Sequence, residues 1–209
     1  MSDCCAVPAE AGADPRFRRI LWVALVSNAA MFVVELAASL VSGSVALQAD
    51  ALDFFGDSAN YAITLFVLSL SLQARSKAAL FKAATMAAFG TWVIGSAIYR
   101  ALTESVPDAA VMGAIGFVAL LVNVGVAVLL FSYRDGDSNR RSIWLCSRND
   151  AIGNIAVMLA ASGVFLTGTG WPDVAVAAII AALNLSAAYQ VFRQARGELQ
   201  QWNQAVNAP

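Results

Sequence analysis

Residues 44–57 constrain this chain more than any other stretch, because they place three carboxylates inside an apolar run. The stretch reads Ser44-Val-Ala-Leu-Gln-Ala-Asp50-Ala-Leu-Asp53-Phe-Phe-Gly-Asp57. On a helix Asp53 and Asp57, four residues apart, project from one face, and Asp50 lies close to the same stripe. An aspartate at the middle of a membrane helix costs roughly 3 kcal/mol. Three are tolerated only if they face a polar centre, for which a bound cation is the simplest candidate.

The composition indicates an integral membrane protein. Of the 209 residues, 59% are hydrophobic and only 13% are charged, whereas soluble domains carry about 25% charged residues. The net charge of −1 gives no reason to expect nucleic acid as a partner. Histidine is absent, which removes the commonest metal ligand and proton shuttle. Without a nucleophile–base pair or a phosphate-binding loop, we expect no enzyme.

The hydrophobic pattern predicts an all-α fold with six transmembrane helices. The apolar segments cover approximately residues 20–42, 45–72, 79–101, 108–132, 143–168 and 171–193. Basic residues fall on one side of this arrangement, and Arg100 alone lies in the opposite loops. The positive-inside rule then places both termini in the cytoplasm. We expect a disordered tail at 1–19, a six-helix membrane domain at 20–196 and a short cytoplasmic tail at 197–209, in a bacterial inner membrane.

Further polar residues lie deep in four of the six segments. They are Asn28 and Glu35 in segment 1, Asn123 in segment 4, and Cys146, Asp150 and Asn154 in segment 5. Segments 3 and 6 carry almost nothing polar in their middles. We therefore predict that segments 1, 2, 4 and 5 surround a polar centre, with 3 and 6 outside it. Cys146 and Asp150 repeat the four-residue spacing of Asp53 and Asp57, so two facing pairs would offer four ligands, the number for a tetrahedral zinc-like ion.

Asp57 and Asp150 lie at different distances from the ends of their segments, which conflicts with their sharing one metal site. Asp57 precedes Gln73 by sixteen residues, whereas Asp150 follows Arg141 by only nine. At 1.5 Å per residue the two depths differ by roughly 10 Å. A shared site then requires that segment 2 projects into the cytoplasm, or that segment 5 begins inside a water-filled cavity. The sequence leaves both alternatives open.

These segments resemble the cation diffusion facilitator family. Asn28, Glu35 and residues 44–57 are similar to its first two helices, and Cys146-Ser-Arg-Asn-Asp150-Ala-Ile-Gly-Asn-Ile-Ala-Val is similar to its fifth. The resemblance implies a six-helix, proton-coupled exporter of divalent metal that usually forms a homodimer, here through its transmembrane helices. It also implies that the metal ligands are Asp53, Asp57, Cys146 and Asp150.

The chain departs from the family pattern in three ways. Cys146 stands where the family usually has histidine or aspartate, the loop of residues 134–141 lacks histidine, and the C-terminal metal-binding domain of the family is not recognisable. One sulfur and three oxygen donors favour Zn²⁺ or Cd²⁺ as the transported ion. Fe²⁺, Mn²⁺, Co²⁺ and Hg²⁺ stay open, and no prosthetic group is expected.

Supporting roles follow for the remaining polar residues. We expect five polar residues to support the ligands from a second layer: Asn28, Glu35, Asp50, Asn123 and Asn154. The alternatives are that Asp50 lines the external mouth of the site, and that Asn28, Glu35 and Asn123 form hydrogen bonds between helices. The adjacent thiols of Cys4 and Cys5 could capture a soft metal ion in the N-terminal tail. An alternative function uses the same site without transport: a membrane metal sensor or accessory subunit.

Overall fold

The computed structural model describes residues 15–67, 72–132 and 138–206, with the side chains of Val67, Leu72, Arg75, residues 138–149 and residues 203–206 left undescribed. Cys4 and Cys5, the predicted capture site, lie outside this part of the chain. The described residues form six helices and no strand, which confirms the all-α class. The helices are α1 (Pro15–Ser42), α2 (Val45–Ala62), α3 (Leu72–Thr103), α4 (Ala109–Phe131), α5 (Ser138–Thr167) and α6 (Trp171–Val206).

Five of the described helices are long and apolar enough to cross a membrane, and α2 is the exception. The five candidate spans are Pro15–Ser42, Ser76–Thr103, Ala109–Phe131, Asp150–Thr167 and Trp171–Trp202. In α2 the three aspartates interrupt the apolar pattern, and the other helices enclose its first half: every residue from 42 to 52 is buried. Because α2 is wrapped by protein, its carboxylates are kept away from lipid.

Small side chains allow this close wrapping. The largest buried cluster joins the start of α2 (Val45, Ala46 and Ala49) to small residues of α5 and α6. The latter are Ala160, Ala161, Ala177 and Ala181. Alanine at a helix–helix contact lets the backbones approach, which is the usual basis of packing between membrane helices.

The described helix ends differ from the predicted segments and reduce the difference in depth. After Ala62 the chain continues as a π-helical turn, Ile63–Val67, and α5 begins at Ser138 rather than at residue 143. Residues 138–142 therefore belong to α5, and Asp150 lies twelve residues after Ser138. That is about 4.5 Å deeper than a count from Arg141 gives. Similarly, α1 begins at Pro15, α3 at Leu72, and α6 continues beyond residue 193 to Val206.

Asp173 at the start of α6 fastens the first turn of α2. Its carboxylate accepts hydrogen bonds from the Ser44 hydroxyl (2.6 Å), the Val45 amide (2.8 Å) and the Ala46 amide (3.0 Å). Ser44 in turn caps α2 by accepting from the Leu47 amide (3.1 Å). Asp173 is only 1% exposed, so three donors at a helix N-terminus depend on one buried acceptor.

Arg100 of α3 packs against the same end. The turn between α1 and α2 has Gly43 at φ +75°, and a Cβ at that position would lie 2.9 Å from Nη1 of Arg100. Nη1 also donates to the Ser105 hydroxyl (3.2 Å). Glycine is favoured at this position because it adopts the left-handed backbone conformation without strain and leaves room for the guanidinium group. We call this end of the helix bundle, where Asp173 and Arg100 pack against the start of α2, the closed end.

Candidate metal centre

Asp57 of α2 and Asp150 of α5 meet inside the helix bundle. Their carboxyl groups lie within hydrogen-bonding range of one another. Asp57 is 8% exposed and accepts a hydrogen bond from the Tyr61 hydroxyl (3.3 Å), while Asp150 is half-buried and its Oδ2 has no hydrogen-bond partner among the described groups. Two ionised carboxylates only accept, so this central pair needs a proton or a cation between its members.

Asp53 lies one turn from Asp57 and faces a different partner. It is half-buried, close enough to interact electrostatically with Asp57 and Asp150, and its carboxyl group faces the amide of Asn184 on α6. Asn184 is 6% exposed, and its Nδ2 makes no hydrogen bond to the described residues. A donor amide beside a carboxylate can hold it in place while the other oxygen binds a ligand.

Cys146 lies one helical turn before Asp150 within α5. Its side chain falls outside the described part, so its role as a ligand stays a prediction. Among the described side chains, no three cysteine or acidic groups come together closely enough to hold a metal ion. The described geometry is therefore a central pair of carboxylates with a third, Asp53, beside it.

Lys82 of α3 brings a positive charge to this region. It is only 5% exposed and donates a hydrogen bond to Oδ1 of Asn60 on α2. Its ammonium group also lies within electrostatic range of Asp57. Segments 3 and 6, which we expected outside the polar centre, thus each contribute one buried polar side chain, Lys82 and Asn184. The isolated polar residue in Leu183-Asn184-Leu185 was the signal for the second.

A second pair of acids lies nearer to the closed end. Glu35 of α1 is 0% exposed, Asp50 of α2 is 1% exposed, and their carboxyl groups lie within hydrogen-bonding range of one another. We call Glu35 and Asp50 the enclosed pair. Asp50 precedes Asp57 by two helical turns, so the enclosed and central pairs are roughly 10 Å apart along α2.

The three predicted supporting amides are all buried. Asn28, Asn123 and Asn154 are each at most 2% exposed. Asn28 donates from Nδ2 to the carbonyl of Ala24 in its own helix (2.8 Å), and its Oδ1 has no partner among the described groups. The same holds for Oδ1 of Asn123 and for both polar atoms of Asn154. The interior therefore offers several amide oxygens beyond the five carboxylates of Glu35, Asp50, Asp53, Asp57 and Asp150.

Comparison with known proteins gives a consistent picture. A family model described as the cation efflux transmembrane domain matches residues 21–199. The cadmium, cobalt and zinc/H(+)-K(+) antiporter of Bacillus subtilis is 25% identical over 190 residues, covering 83% of this chain and 60% of the relative. The metal cation efflux system protein CzcD of Cupriavidus metallidurans is 22% identical over 174 residues, covering 78% and 55%. The chain thus spans less than two thirds of the length of these curated relatives.

Proposed function

Because the chain belongs to the cation diffusion facilitator family, we propose that it exports divalent metal cations from the cytoplasm in exchange for protons. The observation that carries this proposal is the meeting of Asp57 and Asp150 in the interior of the bundle. Two carboxylates from different helices can hold a cation and release it when the helices separate. The name of the Bacillus subtilis relative, which specifies cadmium, cobalt and zinc, supports a divalent cation as the substrate.

The proposed metal ligands are Asp53, Asp57, Cys146 and Asp150. Metal binding requires the ionised forms of all four side chains, so protons and metal compete for the same atoms. A proton arriving from outside the cell can then displace the metal, and loss of that proton to the cytoplasm resets the site. With no histidine in the chain, carboxylates and the thiol carry these protons themselves.

The burial of α2 supports a cycle of alternating access. Residues 42–52 are all buried, whereas Asp53, Phe55 and Ser58–Asn60 are half-buried. In this proposal an ion therefore reaches the central pair from the C-terminal half of α2. The distribution of arginine and lysine places that half, with both termini, toward the cytoplasm. Release to the outside then requires the first turn of α2 to separate from Asp173. In this proposal the structure represents the state that receives metal from the cytoplasm.

The donor set favours particular metals. Three carboxylates and one thiolate suit Zn²⁺ and Cd²⁺ better than Mg²⁺ or Ca²⁺, because sulfur binds softer ions. Co²⁺, Mn²⁺, Fe²⁺ and Hg²⁺ are further candidates. The family resemblance also supports a homodimer formed through the transmembrane helices, in the inner membrane of a bacterium.

Flux into proteoliposomes tests the function. Purified protein is reconstituted into vesicles that contain a zinc-sensitive dye, and Zn²⁺ is added outside with the lumen either more acidic than the medium or at the same pH. An antiporter accumulates zinc faster when the lumen is acidic, and a protonophore removes the difference. Zinc that binds to the protein without entering the lumen under either condition would contradict transport and favour a sensor.

A further inference from the structure

The enclosed pair is unusual because its oxygens lack partners. Glu35 and Asp50 are at most 1% exposed, and both carboxyl oxygens of Glu35 and Oδ2 of Asp50 have no hydrogen-bond partner within the described chain. The two groups face one another, but two ionised carboxylates are both acceptors, so the contact satisfies neither of them. A buried carboxylate without a partner is strongly destabilising. The arrangement therefore requires either a proton shared between the two groups or a bound cation.

No described basic side chain supplies that charge. Lys82 donates to Asn60, and Arg100 donates to Ser105 beyond the first turn of α2. The charged groups within electrostatic range of the enclosed pair are further acids, Asp53 and Asp150. The described charged groups that interact with the enclosed pair are therefore all acidic.

We propose that Glu35 and Asp50 form a second binding site for a divalent cation, separate from the central pair. Its donors are the carboxylate oxygens of the two side chains, three of which have no hydrogen-bond partner among the described groups. A set of oxygens without sulfur discriminates less between soft and hard ions than a site containing Cys146 does. The second site accordingly accepts Co²⁺ or Mn²⁺ about as readily as Zn²⁺.

The position of the enclosed pair suggests its role, and this step rests on the proposed function. The pair lies roughly 10 Å from the central pair, on the side where α2 is fully buried and fastened to Asp173. Asp53 lies between the two pairs on α2. An ion leaving the central pair toward the closed end would therefore pass Glu35 and Asp50 before release. Repulsion between two divalent ions at this spacing makes the second ion bind more weakly and helps to expel it.

Cobalt binding tests the site without requiring transport. Full-length protein carrying Cys4→Ser and Cys5→Ser, which removes the tail thiols, is titrated with Co²⁺ in detergent, and bound cobalt is counted after equilibrium dialysis. We expect two ions per chain, the second binding at least tenfold more weakly. Glu35→Gln with Asp50→Asn should bind one ion, and Asp57→Asn with Asp150→Asn should retain one. As a control, Glu104→Gln, which changes an exposed loop residue, should still bind two.

The outcomes separate the two proposals. The proposal of a second site is wrong, whatever the flux, if the protein carrying only Cys4→Ser and Cys5→Ser binds one cobalt ion per chain. It is also wrong if the Glu35/Asp50 double variant still binds two. If that variant loses one ion and proteoliposome flux falls at least tenfold, the site lies on the export route. If it loses one ion and flux is unchanged, the route assignment is wrong. Absence of flux in the parent protein, with two ions bound, would instead contradict the proposed function.

Discussion

The hydroxyl of Ser44 donates a 2.6 Å hydrogen bond to the buried carboxylate of Asp173. This contact joins the first turn of α2, which carries the acidic residues, to the first turn of α6. It fixes the closed end of the bundle, which is the end where an ion would leave in the proposed transport cycle. In that proposal the single carboxylate of Asp173 both caps α2 and closes the exit.

Removal of that carboxylate should destabilise the protein. Asp173→Ala leaves the Ser44 hydroxyl and the amides of Val45 and Ala46 without their acceptor. A single buried donor without a partner lowers the free energy of unfolding by about 1–3 kcal/mol. We expect a loss of about 3 kcal/mol, seen as a lower thermal unfolding midpoint in detergent. The matched control is Asp108→Ala, an N-cap of α4 that is exposed, for which about 1 kcal/mol is expected. Equal losses in the two variants would contradict the role of burial.

Lys82 should weaken metal binding at the central pair. Its ammonium group lies within electrostatic range of Asp57 and repels a bound cation. We expect Lys82→Gln to bind zinc about fivefold more tightly, which corresponds to roughly 1 kcal/mol, in a competition titration with a zinc chelator. Lys77→Gln, in the same helix but exposed, should leave the affinity unchanged. Weaker binding in the Lys82 variant would mean that Lys82 supports the site instead.

Cys146 should determine the preference for soft ions. Replacing a thiolate by a hydroxyl removes the only sulfur donor from the proposed site, so Cys146→Ser should lower Cd²⁺ flux relative to Mn²⁺ flux on the order of tenfold. The ratio is measured in proteoliposomes loaded with dyes for each ion. Cys4→Ser with Cys5→Ser serves as the control and should preserve the ratio. An unchanged ratio in the Cys146 variant would remove this residue from the ligand set.

Local spacing was enough to predict the acidic face of α2 and the all-α fold. The four-residue interval between Asp53 and Asp57, and the helix that carries Asp150, follow from the chain itself. The ends of the helices do not. Residues 138–142 are polar, and hydropathy alone does not separate a helix that extends beyond the membrane from a loop, so the start of α5 was placed too late.

Partners contributed by other helices were the harder part. Lys82 and Asn184 lie on helices that were expected outside the polar centre. The packing of α3 against α2 brings Lys82 to Asn60, and the packing of α6 against α2 brings Asn184 to Asp53. The pairing of Glu35 with Asp50 depends likewise on the register between α1 and α2. That register is set by the turn at Gly43, where a positive φ and the Arg100 contact fix the geometry. The sequence alone specifies neither the register between α1 and α2 nor the contact between Arg100 and Gly43.

Proton movement driven by metal tests the central claim most directly. Proteoliposomes containing a pH-sensitive dye, with equal pH inside and outside, receive a pulse of external Zn²⁺, and luminal pH is followed for the wild type, Asp57→Asn and the control Asp108→Asn. If zinc exchanges for protons at the central pair, entry of zinc should make the lumen alkaline in the wild type and the control, and at least tenfold more slowly in Asp57→Asn. Zinc entry without a change in luminal pH, or a response that survives Asp57→Asn, would contradict the account.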